Sequence, residues 1–106
     1  YLDWFFIICL NAQHRLLEAV LISDGTVDET AIYPRRIVES VLKYQTTSIV
    51  LVHNHPSGSF YPSQSDIDST KKIVKALEPI NIEVLDHIIV AGNNYYSFVE
   101  RNTLFR

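Results

Sequence analysis

The sequence predicts an α/β (α+β) domain: a mixed β-sheet with helices packed on it. Three observations carry that expectation. The chain opens with two runs suited to strands, Trp4 to Leu10 and Leu16 to Ser23, separated by a polar stretch of hairpin length. Two segments with apolar residues at helical spacing follow, and a nearly continuous apolar run lies between them. Further strand-like runs close the chain, and that order suits helices packed on a mixed sheet.

Each element has its own reason. Trp4-Phe5-Phe6-Ile7-Ile8-Cys9-Leu10 is aromatic and β-branched, as buried strands are. Asn11-Ala12-Gln13-His14-Arg15 interrupts it, so Leu16 to Ser23 returns antiparallel, and Asp24-Gly25 signals a turn. Pro34 suits a first helical position, where its missing N–H costs nothing. Ile37, Val38, Val41 and Leu42 then form one apolar stripe, and the helix is expected to end near Gln45 or Thr46. Ser48-Ile49-Val50-Leu51-Val52 suits a central strand. A loop from His53 to Pro62 leads to a second helix near Ser63, with a stripe of Ile67, Thr70, Ile73, Val74 and Leu77 and a stop at Pro79. Ile82 to Leu85 and His87 to Ala91 read as two further strands. Gly92-Asn93-Asn94 reads as a hairpin turn before Tyr95-Tyr96-Ser97-Phe98, and the tail reads as a short helix.

The chain has 106 residues, enough for one domain, residues 1–106. It opens mid-pattern at Tyr1-Leu2-Asp3-Trp4 and contains no methionine, so it is expected to be the C-terminal fragment of a longer protein. Cys9, its one cysteine, has no internal disulfide partner and reads as a small buried hydrophobe. The run from Trp4 to Leu10 is far shorter than the roughly 20 residues that span a bilayer, and no basic segment precedes it. No membrane is expected, and the cytoplasm is the expected location. The net charge of −3 argues against a grip on nucleic-acid backbone. Lys71, Lys72 and Lys75, and separately Arg35 and Arg36, read as solvated helix faces.

The chemistry concentrates in His53-Asn54-His55-Pro56-Ser57-Gly58-Ser59-Phe60-Tyr61-Pro62-Ser63-Gln64-Ser65-Asp66. In an extended segment, residues two apart share a side, so His53 and His55 aim at one point. Pro56 favours an extended His55, and Gly58 lets the loop turn back. The first turn of the following helix then presents Asp66. Two neutral imidazoles and one carboxylate suit a catalytic zinc whose fourth position holds water, and bound water ionises near pH 7. Without nearby cysteines, a closed structural site does not fit. Ser63 and Asp66 also have the spacing of a helix cap, a reading compatible with the first.

These four residues match the JAMM pattern: His-x-His, seven residues, Ser, two residues, Asp. The wider text resembles the RadC family within the MPN/JAMM metalloprotease-like superfamily. The resemblance runs through Tyr33-Pro34-Arg35-Arg36, His53-Asn54-His55-Pro56-Ser57-Gly58, Pro62-Ser63-Gln64-Ser65-Asp66 and Leu85-Asp86-His87-Ile88-Ile89-Val90, almost the whole chain. It implies a three-layer, cytidine-deaminase-like architecture and Zn2+ held by His53, His55, Asp66 and water. It implies that Ser63 orients the water or stabilises an oxyanion. Active JAMM proteins are metallopeptidases, often isopeptidases, in which a strand glutamate serves as general base.

Here the sequence departs from the pattern. That glutamate is expected five residues before Gly25, where this chain has Val20. Glu18 lies two residues earlier, on the same face of a regular strand but displaced by about 6–7 Å. It reaches the site only if the strand slips or bulges, and otherwise sits in solvent. Glu18 is therefore the tentative general base.

Three functions follow. One is a zinc-dependent hydrolase of a peptide or protein substrate. The second is a metal-loaded but catalytically weak protein-binding module, suggested by Val20. The third is a nucleic-acid role, because the RadC name is historically linked to DNA repair; nucleic acid is not expected as a partner of this domain alone. His14 reads as an exposed turn residue, and His87 as a structural hydrogen-bonding group rather than a substrate ligand. Asn54 suits either a substrate contact or a turn. Tyr95, Tyr96 and Phe98 read as packing residues with one ring exposed.

Overall fold

Alternation decides the first strand. β1 (Trp4–Leu10) buries Phe5, Ile7 and Cys9 and leaves the residues between them half-buried. The computed structural model of the chain describes residues 4–24, 34–56 and 58–104. The expected turn at Asp24-Gly25 lies partly outside these residues. β2 (Leu16–Asp24) returns antiparallel along β1. Between them the Asn11 side chain accepts from the backbone N–H groups of Gln13 and Arg15, at 3.0 and 2.9 Å. His14 takes φ 60° in this turn and is exposed.

Helix α1 (Pro34–Lys43) begins at its proline and buries Ile37 and Val41. It ends slightly before the expected position, because Gln45 enters the left-handed region at φ 53°. Arg35 pairs loosely with exposed Glu39. Arg36 turns instead to the backbone of β2, donating to the carbonyl of Ile22.

β3 (Ser48–Asn54) runs antiparallel to β1 on one side and parallel to β4 (Glu83–Ala91) on the other. Between β3 and β4 the chain forms α2 (Gln64–Leu77) and a 3-10 turn over Glu78–Ile80 that contains Pro79. β5 (Asn94–Ser97) completes a five-stranded mixed sheet in the order β2-β1-β3-β4-β5. The core joins Ile37 and Val41 of α1 and Ile73 and Leu77 of α2 to Phe5, Ile7, Cys9, Ile49, Leu51 and Val84 of the sheet. Among the described residues, both helices thus cover the same sheet face, and no helix is long and apolar enough to cross a membrane.

Two expectations change. The segments on either side of Asp86 form one strand, not two. Its pairing with β3 shifts by one residue between Ile49↔Val84 and Val50↔Asp86. That shift breaks the alternation that a sequence reading follows. The tail forms turns instead of a short helix, with Asn102 at φ 54° ending the run. A carboxylate organises this end: Asp86 accepts from its neighbour His87 N–H, from Val99 N–H and from the Ser97 hydroxyl, at 2.7, 3.0 and 2.6 Å.

Two outcomes are expected. Cys9 is fully buried, and burial pushes its thiol above the ordinary value. Native protein will therefore resist a thiol reagent at pH 8 and react once unfolded, as mass spectrometry would read. Replacing Asp86 by Ala strands three donors and is expected to cost about 2–3 kcal/mol in denaturant unfolding.

Candidate metal centre

The site is built where β3 leaves the sheet. Ile49, Leu51 and His53 share its core face, so alternation alone turns the His53 imidazole toward α2. The ladder continues one residue past the strand, through His55 N–H donating to the Val90 carbonyl at 2.9 Å. His55 therefore stays in extended register, two residues beyond His53. The loop then turns: Gly58 N–H donates to the His55 carbonyl at 3.1 Å, with Gly58 at φ +92°. Space around Gly58 is open, so its backbone conformation is what favours glycine there. The turn returns Ser59, whose carbonyl accepts from His55 Nδ1 at 2.8 Å. A carbonyl only accepts, so His55 Nδ1 donates there, and its Nε2 faces the site.

Asp66 enters from the start of α2. Ser63 is the N-cap: its hydroxyl oxygen accepts from Asp66 N–H at 3.0 Å, while its own N–H donates to Asp66 Oδ2 at 2.9 Å. This reciprocal pair fixes the helix entry and the carboxylate together. Asp66 Oδ2 also lies 2.9 Å from His55 Nε2, and Oδ1 lies 3.4 Å from His53 Nε2. The side chains of His53 and His55 are 8% and 9% exposed and that of Asp66 is 0% exposed, so water screens this cluster poorly. Burial alone would raise the Asp66 carboxyl. The His55 imidazole and the Ser63 amide, both at hydrogen-bond distance, reverse that effect and hold it well below the usual carboxylate range.

Beneath His53 lies a second layer. His53 Nδ1 is 2.7 Å from His87 Nε2, and His87 Nδ1 is 2.7 Å from the Thr70 hydroxyl. Thr70 in turn donates to the Asp66 backbone carbonyl at 2.7 Å. His87 is fully buried, stacked on Phe98 at 4.6 Å between ring centroids and set edge-on to Phe5 at 6.0 Å. Burial pushes its pKa well below the ordinary histidine value. The register shift in β4 puts it there. Unshifted pairing would set His87 opposite Val52, on the other face; the shift pairs it with Leu51 on the core face.

His53, His55 and Asp66 form a group able to hold a metal ion, with one donor atom from each within 4.8 Å of the others. The residues fit such an ion on two grounds. Asp66 Oδ1 is buried without a hydrogen bond, a cost that proteins rarely leave uncompensated. Its 3.4 Å distance from His53 Nε2 is long for a hydrogen bond. It is close to the separation of about 3.3 Å between two ligands on a tetrahedral zinc.

The fold brings His53, His55, Ser63 and Asp66 together and leaves Glu18 elsewhere. Glu18 pairs with Cys9, which pairs with Ile49, four residues before His53. At standard strand dimensions that is about 16 Å between backbones. β2 does carry register shifts, at Leu17 and at Ile22, but neither brings exposed Glu18 to the cluster. Val20 pairs with Ile7, faces the core and packs on it. Asn54 uses its side-chain oxygen to accept from Trp4 N–H at 2.7 Å, tying the start of β1 to the site strand. Tyr95 is the exposed ring of its group, while Tyr96 and Phe98 are buried. Thr70 is the contributor that the sequence leaves among apolar stripe residues. Its signal is a hydroxyl on the buried helix face, one turn after Asp66.

Comparison with known proteins agrees with this architecture. A family model described as RadC-like JAB domain matches residues 2–103. A UPF0758 protein of Aliivibrio fischeri strain MJ11 is 42% identical over 97 residues, covering 92% of this chain and 43% of the relative. A UPF0758 protein of Finegoldia magna is 43% identical over 93 residues, covering 88% and 42%. One from Pelobacter propionicus is 37% identical over 102 residues, covering 96% and 44%. The chain thus spans less than half the length of these curated relatives. A match over nearly the whole chain, on a mixed sheet whose central strand ends in the paired histidines, places the protein in the RadC-like JAB domain family.

Proposed function

We propose that this domain is a zinc-dependent hydrolase of the JAMM type, acting on peptide or isopeptide bonds in a protein substrate. The observation that carries the reading is the convergence of the His53 and His55 imidazoles and the Asp66 carboxylate, whose Oδ1 has no hydrogen bond, on one buried point. When bound, zinc supplies Lewis-acid polarisation and lowers the pKa of a water it holds. The chain's own residues do the rest. His55 is held by Ser59 and Asp66 by Ser63, so both are oriented before any ligand arrives. The Ser63 hydroxyl accepts from Asp66 N–H and keeps its own proton to donate toward water or a developing oxyanion. As part of the same proposal, the domain works in the cytoplasm.

A second reading has one observation in its favour. Val20 occupies the position where the family resemblance leads one to expect a base, and Glu18 is remote. Without a general base, hydrolysis falls by about 10²–10⁴-fold, which would leave a metal-loaded protein-binding module.

Elemental analysis after chelator-free purification separates metal from no metal. About one zinc per chain is expected in the wild type and far less in Asp66→Ala; a zinc-free wild type, even after zinc is added back, would sink the proposal. A peptide-library assay then addresses the base. Glu18→Gln is expected to leave hydrolysis unchanged, and Val20→Glu to raise it by about 10²-fold or more. Zinc-loaded, folded Val20→Glu with no hydrolysis would favour the binding module.

A further inference from the structure

We propose that Thr70 and His87 are positioning residues that lock the tautomer of His53, leaving its Nε2 lone pair aimed at Asp66 before any metal binds. The use of this lock rests on the metal-centre reading, but its geometry does not. Proton bookkeeping along the contacts carries it. Thr70 has one hydroxyl proton, and the Asp66 backbone carbonyl 2.7 Å away can only accept. The proton therefore goes to that carbonyl, and the Thr70 oxygen must accept from its other neighbour. That neighbour is His87 Nδ1 at 2.7 Å, so the His87 proton sits on Nδ1. Enclosed by Phe5 and Phe98, His87 is neutral, and its Nε2 carries a lone pair. The 2.7 Å contact from His87 Nε2 to His53 Nδ1 then needs the His53 proton on Nδ1. Nothing but a lone pair remains for His53 Nε2.

The other side of His53 gives independent support. A protonated Nε2 would donate to Asp66 Oδ1. Instead the two atoms stand 3.4 Å apart, and Oδ1 has no hydrogen bond.

The test reads tautomers directly in the metal-free chain. Long-range proton–nitrogen correlation spectra of uniformly 15N-labelled protein distinguish protonated from bare ring nitrogens. His53 and His87 are both expected to carry their proton on Nδ1. Thr70→Val removes the acceptor while keeping the side-chain shape. It is expected to move both rings to the Nε2-protonated form and to weaken zinc binding by about 10–100-fold. Thr70→Ser is expected to restore tautomers and affinity together. Wild-type His53 protonated on Nε2, or Thr70→Val spectra with unchanged tautomers, would overturn the proposal. The expected tautomers in a chain that fails to take up zinc would uphold the lock and overturn only the metal-centre reading.

Discussion

A fully buried carboxylate at the start of a helix is the constraint around which this domain is arranged. An isolated ion in that place would cost far more than a fold of this size can spare. Asp66 is tolerated because groups around one of its oxygens answer its charge. The Ser63 amide and the N-terminal end of α2 present positive partial charge, and His55 approaches one oxygen. Only Oδ1 is left over, on the side facing His53. The capping pair, the turn at Gly58 and the extended His55 all serve to hold that imbalance in one spot.

How the sheet reaches this spot depends on one residue in β4. Pairing with β3 would otherwise be a plain parallel ladder, placing Val84 on the core face and His87 on the opposite one. The extra residue at Leu85 reverses the parity, so both face the core. Such a shift is invisible to a search for strict alternation. That is why the sequence suggests a break near Asp86, although the chain crosses it without leaving the sheet. Strands with regular alternation were easier. β1 and the hairpin behind it follow from apolar spacing and a polar turn alone, and α1 and α2 follow from Pro34, Ser63 and their stripes.

The same division holds for the site. His53, His55, Ser63 and Asp66 lie within one strand–loop–helix passage, and their geometry is set by local rules of extended chain and helix cap. Those rules can be read from spacing. Thr70 and His87 take their roles from contacts between α2 and β4, which no local pattern encodes. Glu18 shows a third case. Its face on β2 is legible from parity, because it pairs with Cys9 on the core side. Its distance from His53 is not legible, because that depends on which residues of β1 face β3. Val20 occupies the nearer register on the same face and offers only carbon.

The contact between His53 and His87 joins residues 34 apart in sequence and closes only when β4 has docked beside β3. A partly assembled chain, with β1, β2 and β3 paired but β4 loose, would carry the histidine pair without the proton order that makes one of them a ready donor. Competence to capture an ion therefore arrives late in assembly, as a property of the finished sheet. Any ion that prefers the finished site also weights the equilibrium toward it, by about 2.7 kcal/mol at a hundred times its dissociation constant. The domain would thus be held shut at the seam between β3, α2 and β4, where, among the described residues, its only parallel strand pair lies.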